Sequence, residues 1–310
     1  MRGPETFNQF VGQGEIIKSL KRHCEGSMAQ GIILPNVGLY GASGLGKSML
    51  AKAIAEELQV NFLDFYCSAA IKRWQLAKHL MKAKKGDVIF LDECHLIPDQ
   101  NQTLLYKAAD SWQVPIVDEN NRIQENEFQK CEPFCLILAT DQPSLLNRAL
   151  VRRIVLPYII GEYSTAEMRQ IVLNHASRIG LLLSLQAATK IAEAGRGVPR
   201  RARHLLESLR ACMSDTSITI SKTAASRHLA EQGIDADSLT GQDRIYLAAL
   251  ARRGSHMSLS NLATILGAEE QSVAKEVEPF LLKKGWVATE PRGRVLTEAG
   301  KTYVAGRKLA

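Results

Sequence analysis

Short, uninterrupted apolar runs and stretches of helical spacing alternate along the chain up to about residue 160. Asn36 to Tyr40, Val88 to Leu91 and Phe134 to Ala139 are brief and rich in β-branched and large apolar residues, as strands covered on both faces of a parallel sheet should be. The first of them enters the glycine-rich Gly41 to Gly46, and Ser48 to Leu58 then repeats its apolar positions at helical spacing. Strand, loop and helix therefore follow one another. Between the later runs, Val114 to Val117 and Arg122 to Phe128 flank the polar cluster Asp118 to Asn121, which predicts a β-hairpin projecting from the domain.

From Ser164 the pattern turns helical. Ser164 and Glu167 have the spacing of a capping box, and helices are predicted near Leu185 to Ala194 and Arg200 to Met213. After the turn-rich Gly233 to Gly241, helices are expected near Asp243 to Arg252, Ser258 to Leu266 and Glu270 to Lys284. A β-prone Trp286 to Thr289, a turn at Glu290 to Gly293 and a second short strand at Arg294 to Leu296 complete a winged-helix pattern. The predicted organisation is an α/β parallel-sheet domain over 1–161, a small all-helical domain over 162–236 and a winged helix over 237–310.

Composition narrows this little. With 310 residues, 45% of them hydrophobic and 23% charged, the chain can bury sizeable cores, which excludes a disordered or fibrous protein. No apolar run reaches the roughly eighteen residues of a membrane span and no signal-peptide core is seen near the start, so a cytoplasmic protein without membrane contact is expected. Six cysteines without paired C-x-x-C motifs suit free thiols. The net charge of +7 favours a polyanionic partner; from Gly241 on, eleven Lys and Arg face seven Asp and Glu.

The chemistry is sharpest at Gly41-Ala-Ser-Gly44-Leu45-Gly46-Lys47-Ser48, a G-x-x-x-x-G-K-[ST] sequence placed after a strand and opening a helix. Such a loop wraps ATP phosphates with backbone N–H groups, with Lys47 reaching the β- and γ-phosphates and Ser48 ligating Mg²⁺. Leu45 and Met49 belong to the same nucleotide-contacting stretch. The strand 88–91 ends in Asp92-Glu93, one carboxylate for the metal and one to polarise the attacking water. Thr140-Asp141 ends another strand; it either senses the γ-phosphate or caps the next turn. Arg152-Arg153, which no local acid obviously neutralises, and Arg200 in Gly197-Val-Pro-Arg200 are candidates to reach the phosphates, with a solvated surface as the alternative.

Phe10-Val11-Gly12-Gln13, the P-loop, Asp92-Glu-Cys-His95, the hairpin, Arg153, Gly197-Val-Pro-Arg200 and Glu290-Pro-Arg-Gly-Arg294, in that order, resemble the RuvB family of Holliday-junction branch-migration ATPases. The resemblance covers nearly the whole chain. It implies an AAA+ ATPase domain, a helical lid and a winged helix. Phe10 and Val11 would line the adenine pocket, Asp92 would serve Mg²⁺, Glu93 the water, Asp141 and Arg200 the two sensor positions, and Arg153 a finger acting in a neighbouring subunit. Tyr163 would approach the nucleotide.

It further implies a hexameric ring on duplex or junction DNA, a RuvA-type partner docked on the 114–128 hairpin, and Arg292 and Arg294 at the DNA backbone. The chain departs from the family at Asp141, where a threonine is usual, at Cys94, Val151 and Thr289, and in the short stretch before Phe10. The expected function is ATP-driven DNA translocation in branch migration; the alternative is an ATP-controlled DNA-binding switch or loader. A winged helix can also serve protein contacts, since fold does not dictate function.

Overall fold

The computed structural model describes residues 6–307, apart from the side chains at 125 and 126. It divides into two compact units, Met1–Ile171 with Gly197–Arg200, and Val172–Arg196 with Arg201–Ala310. The first unit begins with α1 (Gly14–Gln30), followed by β1 (Val37–Tyr40), α2 (Lys47–Leu58), β2 (Phe62–Tyr66), α3 (Arg73–Leu80) and β3 (Val88–Asp92). Next come α4 (Asp99–Ser111), the hairpin β4 (Gln113–Val117) and β5 (Ile123–Lys130), β6 (Cys135–Thr140), α5 (Arg148–Val151), β7 (Leu156–Ile159) and α6 (Thr165–Arg178).

Five parallel strands form one sheet in the order β2-β3-β6-β1-β7. The three inner strands are those that the apolar runs predict: β1 and β6 are buried at every position, because helices cover both faces of a parallel sheet. The two edge strands lack that signature. β2 carries Asp64 at its middle and is half exposed, and β7 contains Pro157, which an edge strand tolerates because one side makes no ladder bonds. Helices α3 and α4 pack Leu76, Leu80, Leu104 and Leu105 against Ile89 and Leu136 of the sheet. The hairpin does not stand clear of this core. Val114 is buried in it, and at the tip Lys78 of α3 donates to Asn121 Oδ1 at 2.7 Å.

The second unit continues α6 and contains α7 (Leu185–Ala194), most of α8 (Pro199–Ala211) and α9 (Lys222–Glu231). Then follow α10 (Gly241–Arg253), α11 (Leu259–Leu266), α12 (Glu270–Ser272), α13 (Glu278–Lys283), β8 (Val287–Glu290), β9 (Gly293–Leu296) and α14 (Glu298–Arg307). The single helix expected over 270–284 is interrupted by a π-helical turn at Val273–Val277, just before Pro279, whose missing N–H forbids the regular helical bond. β8 and β9 pair antiparallel with Glu290 opposite Gly293, so Pro291 and Arg292 form the wing tip. Tyr246, Leu247, Leu262, Leu281 and Val287 build the core of this winged helix.

One buried ion pair ties residues of the helical region to the winged helix. Arg196, in the left-handed region at φ 54°, pairs through Nη2 with Asp243 Oδ2 and donates from Nη1 to Oδ1 at 3.2 Å and from Nε to Ser238 O at 3.1 Å. Its guanidinium lies 3.8 Å from the centre of the Phe280 ring. Among the described residues, no helix is long and apolar enough to cross a membrane.

Candidate nucleotide site

The carboxyl ends of β1, β3 and β6 converge where an open parallel sheet binds its ligand. The loop leaving β1 depends on glycine. A Cβ on Gly44, at φ 84°, would stand 2.8 Å from Arg200 Cβ and 3.0 Å from Val198 Cγ1. One on Gly41 would stand 2.4 Å from Ile160 O. Any side chain at these two positions would push neighbouring segments off the loop.

Lys47 opens α2 and is almost fully buried, with Nζ donating to Gly41 O at 2.7 Å and Ala42 O at 3.1 Å. Burial lowers its pKa, and the carboxylates of Glu93, Asp92 and Asp141 oppose that shift. Ser48 Oγ donates to Asp92 Oδ2 at 3.2 Å, pairing a hydroxyl and a carboxylate of the kind that hold a hard divalent cation. The shaped loop, the enclosed ammonium and this oxygen pair fit a nucleotide triphosphate with Mg²⁺.

Glu93 follows Asp92 in the left-handed region at φ 51°, and its N–H donates to Asp92 Oδ1 at 3.0 Å. Non-glycine residues seldom adopt this conformation, and it turns the chain sharply after the strand. His95 then comes back against the end of β6, where Nδ1 lies 2.9 Å from the fully buried Thr140 Oγ1, 3.5 Å from Glu93 Oε2 and 3.8 Å from Asp141 Oδ1.

Other candidates gather at the same end. Arg200 donates to Ser43 Oγ at 2.8 Å, and its backbone N–H donates to Gly44 O at 3.3 Å. The hydroxyl of the buried Tyr163 donates to Leu45 O at 2.9 Å; burial pushes its pKa up to about 12. Gln13 donates to Gly161 O at 2.8 Å, and the Phe10 ring passes 3.8 Å from where a Cβ on Gly46 would stand. Val11 and Met49 lie half buried in the neighbouring segments.

Two of the candidate arginines have partners within the chain. Arg153 does have a local acid: Nε donates to Asp110 Oδ2 at 2.6 Å, Nη1 donates to Ala149 O at 2.7 Å, and the guanidinium sits 5.2 Å from the Tyr106 ring centre. The partners lie 43 residues apart and meet because α4 and α5 pack together. The backbone of Arg153 receives the Asn36 amide, at the amino end of β1, whereas the P-loop leaves its carboxyl end.

Arg294 is likewise engaged. Nε and Nη2 grip Glu278 at 2.7 and 3.2 Å, Tyr246 donates to the same carboxylate at 2.8 Å, and Glu278 is buried. This pairing raises the Arg294 pKa. Arg294 therefore holds β9 to α13, and Arg292 at the wing tip is the exposed arginine of the pair. Sequence reasoning assigns no role to His95, Gln142 or Asp110; only His95, inside the Asp-Glu-Cys-His motif, carries a local signal.

Residues 1–160 match the family described as Holliday junction DNA helicase RuvB P-loop domain, and residues 237–305 match the RuvB C-terminal winged helix domain. The Holliday junction branch migration complex subunit RuvB of Acholeplasma laidlawii is 33% identical over 303 residues, covering 96% of this chain and 89% of its own. Its namesake in Thermotoga petrophila is 32% identical over 304 residues, covering 95% and 89%. Among solved structures, the Thermotoga maritima RuvB Holliday junction branch migration motor superposes with a TM-score of 0.83 at 30% identity, covering 98% of each chain.

Proposed function

Since this chain belongs to the RuvB family, we propose that it is an ATP-hydrolysing motor that drives DNA through a Holliday junction as the RuvB subunit of a branch-migration complex. The observation that carries this reading is that Lys47, Ser48, Asp92, Glu93 and Thr140 gather at one end of the sheet, on a chain that also bears a winged helix.

In this reading, backbone N–H groups of Gly41 to Lys47, the Lys47 ammonium and Arg200 hold the phosphates, with Phe10, Val11 and Tyr163 beside the rest of the nucleotide. Ser48 and Asp92 would hold Mg²⁺, which when bound neutralises charge on the β- and γ-phosphate oxygens. Glu93 accepts a proton from water as the water oxygen bonds to the γ-phosphorus. The bond from that phosphorus to the β–γ bridging oxygen breaks, and ADP leaves with the electron pair. Asp141 lies at the first sensor position. Arg153 acts as a finger in the next subunit, and the placement of its backbone supports this. It lies at the far end of β1 from its own P-loop, about 16 Å away at strand rise. A ring, hexameric as in the family resemblance, supplies the neighbour.

The DNA contact we assign to Arg292, and the RuvA-type docking surface to the β4–β5 hairpin, where Ile116 and Ile123 remain half exposed near the tip. Six free cysteines, five of them buried, suit the reducing cytoplasm. A slower, switch-like use of ATP is the second reading, and it is favoured by Asp141, a carboxylate close to where the γ-phosphate would bind.

The primary test is steady-state ATP hydrolysis with and without a four-way junction, followed by branch migration with a RuvA-type partner. Stimulation by DNA and movement of the junction support the motor. Negligible turnover with ATP-tightened DNA binding would select the switch. Lys47→Ala should weaken ATP binding by about 10- to 100-fold, the worth of a hydrogen-bonded charge on phosphate, read by titration with a fluorescent nucleotide. Arg292→Ala should weaken duplex binding whatever the sequence and reduce the log–log salt slope by about 0.9 for each phosphate the arginine had neutralised. An unchanged slope would remove Arg292 from the interface.

A further inference from the structure

We infer that His95 is a positioning residue for hydrolysis: it tethers the Glu93 carboxylate to the end of β6, so that Glu93 is aimed by the same strand end that faces the γ-phosphate. The inference rests on the ATP-hydrolysing reading above.

The hydrogen bonds assign the ring's proton. Gln142 Nε2 donates to Asp141 Oδ1 at 3.3 Å, which orients the amide, and the same NH₂ group lies 3.1 Å from His95 Nε2. An NH₂ group cannot accept, so Nε2 is the acceptor and the ring's proton sits on Nδ1. That N–H faces Thr140 Oγ1 at 2.9 Å, with Glu93 Oε2 at 3.5 Å. Thr140 Oγ1 also receives the backbone N–H of Gln142 at 2.9 Å, so the strand end is held from two sides. The ring is 8% exposed, where a dipole acts on a nearby carboxylate with little screening.

The tether matters because the Glu93 carboxylate is otherwise poorly held. Its backbone is in the left-handed region and is held by its N–H on Asp92 Oδ1 at 3.0 Å and by the Leu96 N–H on its carbonyl at 2.9 Å, restraints that fix the main chain and leave the carboxylate to be placed by its surroundings. His95 Nδ1, whose proton bonds Thr140 Oγ1, stands 3.5 Å from Glu93 Oε2, so the ring dipole attracts that oxygen and the other carboxylate oxygen is the one offered to the water. Glu93, His95 and Asp141 do bring ligand atoms within 4.8 Å of one another. With its proton on Nδ1, however, the ring offers that point a donor rather than a lone pair, and hydrogen bonding is the better account than a bound cation.

The test uses the full chain with junction DNA and measures kcat, KM, affinity for a non-hydrolysable ATP analogue, and melting temperature. His95→Phe keeps the ring's bulk and removes both nitrogens; His95→Asn returns an N–H close to where Nδ1 stood. His95→Phe should lower kcat by about 10- to 100-fold, the cost of a base displaced by about an ångström, with analogue affinity within about two-fold of wild type. His95→Asn should recover to within about five-fold. Gln142→Leu, at a half-buried position, should cost about three- to ten-fold alone and nothing further in a His95→Phe background, since both act through one ring.

A His95→Phe chain with wild-type kcat overturns the inference. So do equal losses in the Phe and Asn variants, or a parallel loss of analogue affinity, each of which marks a packing role. If His95→Phe fails to fold, a Gln142→Leu chain with wild-type kcat overturns it alone. A wild-type chain that hydrolyses no ATP instead overturns the underlying reading, and this inference with it.

Discussion

Glu93→Gln should leave ATP bound and lower kcat for its hydrolysis by about 10²- to 10⁴-fold, the usual worth of a positioned general base. The amide keeps the shape of the side chain and its polar interaction near His95 but has no basic oxygen for the water's proton. Phosphate binding should not depend on Glu93, since the residues proposed to hold the phosphates, Lys47, Ser48 and Arg200, lie on other segments around the P-loop. The loss should therefore fall on kcat, with KM and nucleotide affinity near wild type, and a trapped ATP-bound chain should accumulate on DNA. Rapid-quench measurement of ATP cleavage decides it. A Glu93→Gln chain that cleaves ATP at a rate within a few-fold of wild type would place the base elsewhere, and Asp141 would be the next carboxylate to substitute.

Arg196→Ala should destabilise the second unit by about 3–5 kcal/mol, because it leaves the Asp243 carboxylate buried without its cation. Arg196 and Asp243 have side-chain exposures of 3% and 1%, so water cannot take over from the missing partner. Ser238 O would lose its donors too. The loss should show as faster amide exchange throughout α10 and the strands that pack with it. Replacing both partners, as in Arg196→Met with Asp243→Leu, should recover most of it, since no uncompensated charge remains. The recovery should fall short by about 1 kcal/mol, because Asp243 also closes the capping box with Thr240 at the start of α10. If Arg196→Ala alone shifts stability by less than about 1 kcal/mol, the pair is not holding this part of the molecule together.

The contrast between Lys47 and Arg153 shows how far sequence reading reaches into the site. Lys47, Ser48, Asp92 and Glu93 sit in contiguous motifs whose chemistry is local: a loop, the first turn of a helix and the end of a strand. Apolar runs on both sides announce that strand and that helix. Arg153 gives no such signal, because its partner Asp110 lies 43 residues away and belongs to another helix. The same holds for Arg294 and Glu278, and for the meeting of His95 with Gln142, 47 residues on.

By itself, the sequence determined the three inner strands, the phosphate-binding loop, the paired carboxylates after β3 and the wing, because each depends on the residue types within a short window. It left β2, β7 and α1 unread. Edge strands are half exposed and tolerate Asp64 and Pro157, and α1, which buries Leu20, Cys24 and Ser27 on one face, carries no motif that draws the eye to it. Only the tertiary structure decided which arginines are engaged, that the hairpin lies against α3, and that the Glu93 carboxylate leans on β6 through a histidine. Those are properties of charges and hydrogen bonds brought together from distant segments, and a side chain's partners are chosen by packing rather than by its neighbours in the chain.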